Sequence, residues 1–414
     1  MNGWTRAPLL GALVLAIAWA AGPASAADLV PRPTEGGEYA YSTPEAPPVV
    51  GAHAVVHYVT TGLDAPPLND DNGNGVPDYV EEVSTAAETA LGYYGSHGFK
   101  PAAADTRGPN SLTDIYIEHL PDPGLYGVTF AYNYASGGTF VILSSRLDQS
   151  PDVAMGSLDA TVAHELFHVI QNAYVPNGRM PMWVAEGSAS AMAALVYPDI
   201  HDVVMDQYLD GWLKETWRPL YDPRFSCNHC YGGAIWWWAL ERIDPALLPD
   251  YLGRLWGYQQ AGKPLLWATQ PLDEIFARHG YASLYRVFSA FSLAVYRGGL
   301  DPKPAYELTA TSQVQATAAT PVLGLSTDYV PIKVASDAGA IAVQVTNGFG
   351  PAPSVSLIVG GPGGRAVTGK VSAGGRKILF ATAFRSAAER DDVMLIVTSG
   401  RQDGVAYKVA YLAR

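Results

Sequence analysis

Cysteine is nearly missing from this chain: 414 residues hold two, Cys227 and Cys230. That excludes a small domain stapled by disulfides and a multi-cysteine zinc ribbon. The pair stands as Cys227-Asn228-His229-Cys230. In an exported chain a CxxC pair most often closes a small disulfide loop, and that is the expectation here. A redox motif would want a thioredoxin-like βαβ setting, and a structural zinc site a second Cys/His pair; neither is evident. Charge is scarce as well, at 16% of residues with a net charge of −13. No basic run exceeds two residues, which argues against nucleic-acid binding and docking on anionic membranes. Beyond the N-terminus no charge-free apolar run is long enough to span a bilayer. What is present, 48% apolar and 11% aromatic residues, is a globular composition long enough for two domains.

The N-terminus reads as a signal peptide over residues 1–26. Arg6 gives a positive start, Leu9 to Ala21 an apolar core, and Ala24-Ser25-Ala26 a small-x-small cleavage site. An uncleaved anchor is the rival, but the stretch is short and ends in Gly22-Pro23. A secreted, extracellular protein is therefore expected. Residues 27–50, rich in Pro, Gly and Glu, read as a flexible lead-in too short for a folded inhibitory prodomain.

Further on, β-branched alternation predicts a strand within His53–Thr60, and apolar spacing predicts a helix from Pro77 to about Tyr94. Strands are expected at Asp114–Leu120, Val128–Asn133 and Thr139–Ser144, and helices at Leu158–Ala173, Met182–Val196, Val203–Glu215, Gly232–Arg242 and Ser283–Tyr296. After about Asp301 six short apolar or alternating segments follow, with Gly, Pro and Asn between them. The expected architecture is α+β. A mixed-sheet and helix domain occupies 51–300, a linker 301–325 and a β-sandwich 326–414.

The chemistry concentrates in His164-Glu165-Leu166-Phe167-His168. Two histidines four apart on a helix project from one face and can meet a single ion. Glu165 then lies beside the metal, where a base takes a proton from metal-bound water. The bland alternative is a chance match on an ordinary helix. Against it stands Met182-Trp183-Val184-Ala185-Glu186-Gly187, which sets Glu186 among apolar and small residues. A carboxylate there is costly unless paired or bound to a metal, so Glu186 is the third ligand, with the fourth position left to water. A metzincin is excluded, because Gln171 and Tyr174 stand where its glycine and third histidine would be.

At these residues the chain resembles the gluzincins, zinc peptidases with an HExxH helix and a ligand glutamate on a following helix. The Trp183-x-x-Glu186-Gly187 pattern looks like that of the gluzincin aminopeptidases, although seventeen intervening residues are slightly fewer than is usual there. More closely, the ordered set His53–Gly62, Asn74-Gly75-Val76-Pro77-Asp78-Tyr79, His164–Gln171 and Trp183–Gly187 resembles a family of uncharacterised secreted bacterial metalloproteases. The resemblance covers about residues 50–300. It implies a zincin-like fold, Zn2+ as cofactor and hydrolysis of a protein or peptide substrate. The Val128–Asn133 strand would then form the sheet edge and Thr139–Ser144 lie inside the sheet. An extended substrate could pair with that edge, or it could be a plain sheet strand. For the oxyanion, Tyr231 is the first candidate, with His229, His201 and Tyr174 behind it.

A second motif spans Asp70 to Glu81 and fits D-x-[DN]-x-[DN]-G-x5-E. Asp70, Asn72, Asn74, the Val76 carbonyl, Asp78 and Glu81 are candidate ligands of a structural Ca2+ ion, with Gly75 allowing the turn. The alternative is a solvated turn capping the next helix. Pro77 departs from the usual EF-hand pattern. Two other readings of the whole chain stand beside the peptidase: a zinc hydrolase of non-peptide amides or esters, and a calcium-stabilised binding or adhesion protein on an inactive zincin scaffold. Retention of Glu165 with both histidines argues against the inactive scaffold.

Overall fold

The computed structural model describes residues 30–413 apart from 123–124, 134–137, 148–155, 177–179, 201–208, 222–227, 264–267, 301, 304–306, 311–314, 318–320, 323–324, 348–353, 373–374, 376 and 400–402. The expected signal peptide lies outside the described residues. The chain is mixed α+β and divides into two compact units, Met1–Gln207 with Leu240–Leu266 and Tyr208–Ala239 with Trp267–Arg414.

In the first unit, strands β1 (Val49–Val50), β2 (Ala54–His57), β3 (Thr113–Glu118), β4 (Gly127–Asn133) and β5 (Gly138–Ser144) form one sheet in the order β1-β2-β3-β5-β4. β2, β3 and β5 run parallel, and the outer strands pair antiparallel. β4 ends the sheet and β5 lies inside it, as the strand readings anticipate. Every residue of β3 and β5 is buried, the pattern of strands covered on both faces. Side-chain alternation divides those faces. Val128, Phe130 and Tyr132 of β4 join Tyr116, Phe140 and Ile142 in one apolar cluster. Thr129, between them, turns to the helix-covered face.

Two helices, α1 (Asp78–Ser96) and α2 (Gly156–Tyr174), pack on that second face, and a third, α3 (Met182–Val196), lies against them. In α1 the residues Val80, Val83, Ala87, Leu91 and Tyr94 are all buried, as their helical spacing predicts. Tyr94 fastens α1 to α2: its hydroxyl donates to the Ala163 carbonyl at 2.7 Å, and its ring meets Phe167 edge-on at 5.2 Å. In α3 every residue from Trp183 to Ala194 is buried, so this helix is enclosed on all sides.

Residues 30–50 differ from the expected flexible lead-in. Arg32 is 3% exposed and donates to Asp114 Oδ2 at 2.7 Å and Asp105 Oδ1 at 2.8 Å. Its guanidinium lies over the Tyr132 ring, 5.0 Å from the centroid. Val30, Tyr39 and Tyr41 pack against the aromatic cluster. Further along, the Glu45 carboxylate meets His57 Nδ1 at 2.5 Å, while His57 Nε2 lies 3.2 Å from Asp114. Composition alone missed this because the decisive interaction is a single long-range one. Two buried carboxylates, Asp114 on β3 and Asp105 in the segment before it, need a cation, and residue 32 supplies it.

In the second unit two sheets share a core. One holds Lys370–Val371, Lys377–Ala383, Ala338–Asn347, Asp403–Ala413 and Gln315–Thr317 in that order, with Pro321–Val322 also pairing to Asp403–Ala413. The other runs Arg365–Val367, Ser354–Val359, Val393–Ser399, Ser326–Lys333 and Leu308–Thr309. Ile341, Val343 and Phe380 of the first meet Val330, Leu357 and Leu395 of the second in a single apolar cluster. The helix Leu284–Arg297 belongs here too. Tyr329 donates to the Ser292 carbonyl at 2.7 Å, and the Ser292 and Thr327 hydroxyls are 2.7 Å apart. The division between units therefore differs from the expected linker at 301–325, because this helix is bonded to the strands that follow it. Cys230 is a buried free thiol, and its expected disulfide partner Cys227 lies outside the described residues.

Burial raises the Asp105 carboxyl, but hydrogen bonds from Arg32, Tyr132 and the Arg107 N–H outweigh it and hold the group at about 2. A carboxyl depressed in the folded state contributes stability above its unfolded value, and loses it as pH falls through the folded one. Arg32→Ala should cost about 3–5 kcal/mol near neutral pH, by stranding two buried carboxylates. In urea unfolding the deficit should shrink as pH drops from about 4 towards 2; a pH-independent deficit would show that lost packing, not charge, sets the cost.

Candidate metal centre

Helix α2 places His164 and His168 one turn apart on the face it turns to α3, and α3 brings Glu186 up from the other side. One ligand atom from each of the three lies within 4.8 Å of the others, so the group can hold a metal ion. His164 Nε2 is 3.2 Å and His168 Nε2 3.6 Å from Glu186 Oε2, and the two Nε2 atoms are 3.0 Å apart. All three residues are buried, Glu186 completely. Its Oε1 has no hydrogen-bond partner, and its ion-pair partners among the described residues are these two imidazoles alone. An orphaned buried carboxylate oxygen beside two imidazole nitrogens is a donor set that a metal ion could satisfy.

The electrostatics describe the same shortage of positive charge. Burial raises Glu186, yet His168 and His164 together pull it down to about 2. Burial lowers His168, but Glu186 outweighs that and lifts it to about 9. For His164 burial prevails and its value falls. The two imidazoles thus favour the ionised carboxylate against its burial.

Glu165, next to the first histidine, is turned about 100° round the helix from it, towards strand β4. Its Oε2 lies 2.7 Å from the Thr129 hydroxyl on edge strand β4, and the same hydroxyl reaches the Glu165 carbonyl at 3.0 Å. Burial pushes the Glu165 carboxyl up to about 7, against the lowering pull of His168 and Thr129. Gly127, two residues before Thr129 on the same face, leaves the space that Glu165 fills. A Cβ there would lie 2.7 Å from Glu165 Cγ and 3.1 Å from Leu143 Cδ2.

Around the ligands, the His168 Nδ1 lies 2.8 Å from Gln171 Oε1, and His164 Nδ1 lies 3.4 Å from the Ser190 hydroxyl. Asn172 Nδ2 donates to the His168 carbonyl at 2.9 Å. Thr129, Gly127 and Ser190 carry no motif that would have marked them as parts of a site. Only their helical or strand register relative to His164, His168 and Glu186 could have done so.

Of the oxyanion candidates, Tyr174 sits at the end of α2, where its oxygen accepts the Lys100 N–H at 2.9 Å and its ring lies under the Lys100 ammonium. Tyr231 and His229 are buried in the second unit, and His201 lies outside the described residues.

No family model matches the chain, and no curated protein matches it. Among solved structures, a crystal structure of the pre-peptidase C-terminal domain of a collagenase from Bacillus anthracis is similar over 27% of this chain and 98% of that one, at 18% identity and a TM-score of 0.20. So slight a likeness carries no argument.

The Asp70–Glu81 loop is closed by its own side chains. Asp70 accepts the Gly73, Asn74 and Gly75 N–H groups at 2.8, 3.1 and 2.8 Å. Asn72 and Asn74 amides converge on Glu81 at 2.8 and 2.6 Å. Asp78 instead accepts the Asp71 N–H at 3.2 Å. Asp70, Asn72, Asn74 and Glu81 are thus linked into one ring of polar groups, with Gly73 and Gly75 at positive φ.

Gly127→Ala should destabilise the protein by about 1–3 kcal/mol, because the added methyl meets the inner part of the Glu165 side chain rather than a mobile tip. Urea unfolding at neutral pH measures it. Stability equal to wild type would show that β4 yields freely at this point.

Proposed function

We propose that the protein is a secreted zinc-dependent peptidase with His164, His168 and Glu186 as ligands and Glu165 as general base. The observation that carries this is the convergence of those three ligand atoms within 4.8 Å, beside a buried carboxylate tuned to about 7. Two imidazoles and one carboxylate are the donor set of hydrolytic zinc sites that leave a position open. Zn2+ held there would supply an acidified water and a charge to polarise the scissile carbonyl.

The chain's own residues account for the proton. An ionised Glu165 accepts the Thr129 hydroxyl at Oε2. Once protonated, Glu165 can donate to Thr129 Oγ1, whose hydrogen then turns to the Glu165 carbonyl, 3.0 Å away. Both states of the base keep their hydrogen bonds without moving the backbone, which suits a group that must take up a proton and give it back. A value near neutrality serves the same end. The fold reading that goes with this is a zincin-like first unit and a β-sandwich in the second, supported by the mixed sheet with its enclosed helices and by the shared two-sheet core.

The same reading assigns Ca2+ to the Asp70–Glu81 loop in a structural role, supported by the motif and by the hydrogen bonds that draw Asn72, Asn74 and Glu81 together. Cleavage of the signal peptide after Ala26 would place the chain outside the cell, where millimolar calcium suits an isolated loop of this kind.

With casein as substrate, Glu165→Gln should lower the rate at least 100-fold while zinc content, measured by atomic absorption, stays at one per chain. Zinc bound without any Glu165-dependent proteolysis would refute the peptidase reading. For the loop, EGTA should lower the melting temperature by several degrees and added Ca2+ restore it; an unchanged midpoint would leave it a plain capping turn.

A further inference from the structure

We propose that Gln171 is a positioning residue which fixes His168 as an Nε2 ligand and locks together the two helices that carry the metal site. The proposal rests on the metal-centre reading. It starts from a chain of hydrogen bonds whose direction is forced. The Val184 and Ala185 carbonyls can only accept. Ser188, 2.6 Å from the Val184 carbonyl, must therefore donate its single hydroxyl hydrogen there. Its oxygen is left to accept from Gln171 Nε2 at 2.9 Å. The second hydrogen of that amide goes to the Ala185 carbonyl, also at 2.9 Å. With Nε2 facing two acceptors, Oε1 must face His168 Nδ1 at 2.8 Å. Nδ1 is consequently the protonated nitrogen, and the lone pair of a neutral His168 sits on Nε2, the atom turned to His164 and Glu186.

The anchors have a second meaning. Val184, Ala185 and Ser188 flank Glu186 on α3, whereas Gln171 follows His168 by one turn on α2. One side chain therefore sets both the tautomer of a ligand on one helix and the approach of the helix that bears another. Gln171 is 1% exposed and Ser188 fully buried, so solvent cannot replace these bonds. Glutamine suits the place because it joins one acceptor and two donors in a single planar group. Neither leucine, of similar volume, nor glutamate reproduces that.

The full-length protein tests this with Zn2+ as the probe, using competition against a chromophoric chelator and 15N-histidine NMR of the zinc-loaded form. Wild type should show a slowly exchanging His168 Nδ1–H resonance. Gln171→Leu should lose it and bind Zn2+ about 10–100-fold more weakly. Gln171→Glu, which keeps an acceptor for Nδ1, should bind Zn2+ more tightly than the leucine variant. A purely packing role predicts the reverse order, since leucine is the better apolar filler, and that order would overturn the proposal. So would the absence of a protected His168 Nδ1–H in wild type, a measurement that needs no variant to fold. Wild type that takes up no Zn2+ would refute the metal centre itself, a different failure from zinc bound equally by all three proteins.

Discussion

The Glu186 carboxylate is completely buried on a helix enclosed on all sides, and the first unit is arranged around its need for positive charge. A charge taken out of water must be met at close range or lost to protonation. Two imidazoles from α2 meet it, which requires the two helices to approach closely. Small residues of α3 that meet α2, Ala185, Ser188 and Ser190, permit that approach. Bulky side chains at those positions would hold the helices apart and separate the ligand atoms. The sheet answers on the flank of α2 turned to β4, where Gly127 gives Glu165 room and Thr129 gives it a partner.

Much of this was legible because it depends on short-range periodicity. A three-residue gap between His164 and His168 fixes their common face, and the apolar setting of Glu186 marks it as a carboxylate in need of a cation. The strands of the second unit were legible for the same reason: Ser354–Val359 alternates or runs apolar between turn formers, and the strand keeps those bounds. The helices Leu247–Gln260 and Thr269–Arg278 were not read, since Gly253 and Gly257 interrupt the first and Pro271 and a polar face blur the second. Partners distant in sequence were equally hidden. Nothing near Thr129 points to Glu165, and nothing near Arg32 points to Asp114. Such pairs exist only once the sheet has brought them together.

The Asp70–Glu81 loop links to the helix of His164 and His168 in mechanical terms. It leads directly into α1, whose Asp78 carboxylate and N–H both bond back into the loop, the latter to the Asn69 carbonyl at 2.7 Å. α1 in turn holds α2 through Tyr94. Any ion that stiffens the loop therefore steadies the start of α1, and through it the turn of α2 just before His164.

Arg32 also bears on the order in which the first unit can form. Its partners Asp105 and Asp114 lie 73 and 82 residues later in the chain. During synthesis at about 5–20 residues per second, on the order of several seconds pass between their appearances. Until then the segment around Arg32 has no aromatic face to cover, and its guanidinium has no buried carboxylates to meet. Residues 30–50 therefore lack these native partners until the later strands are made.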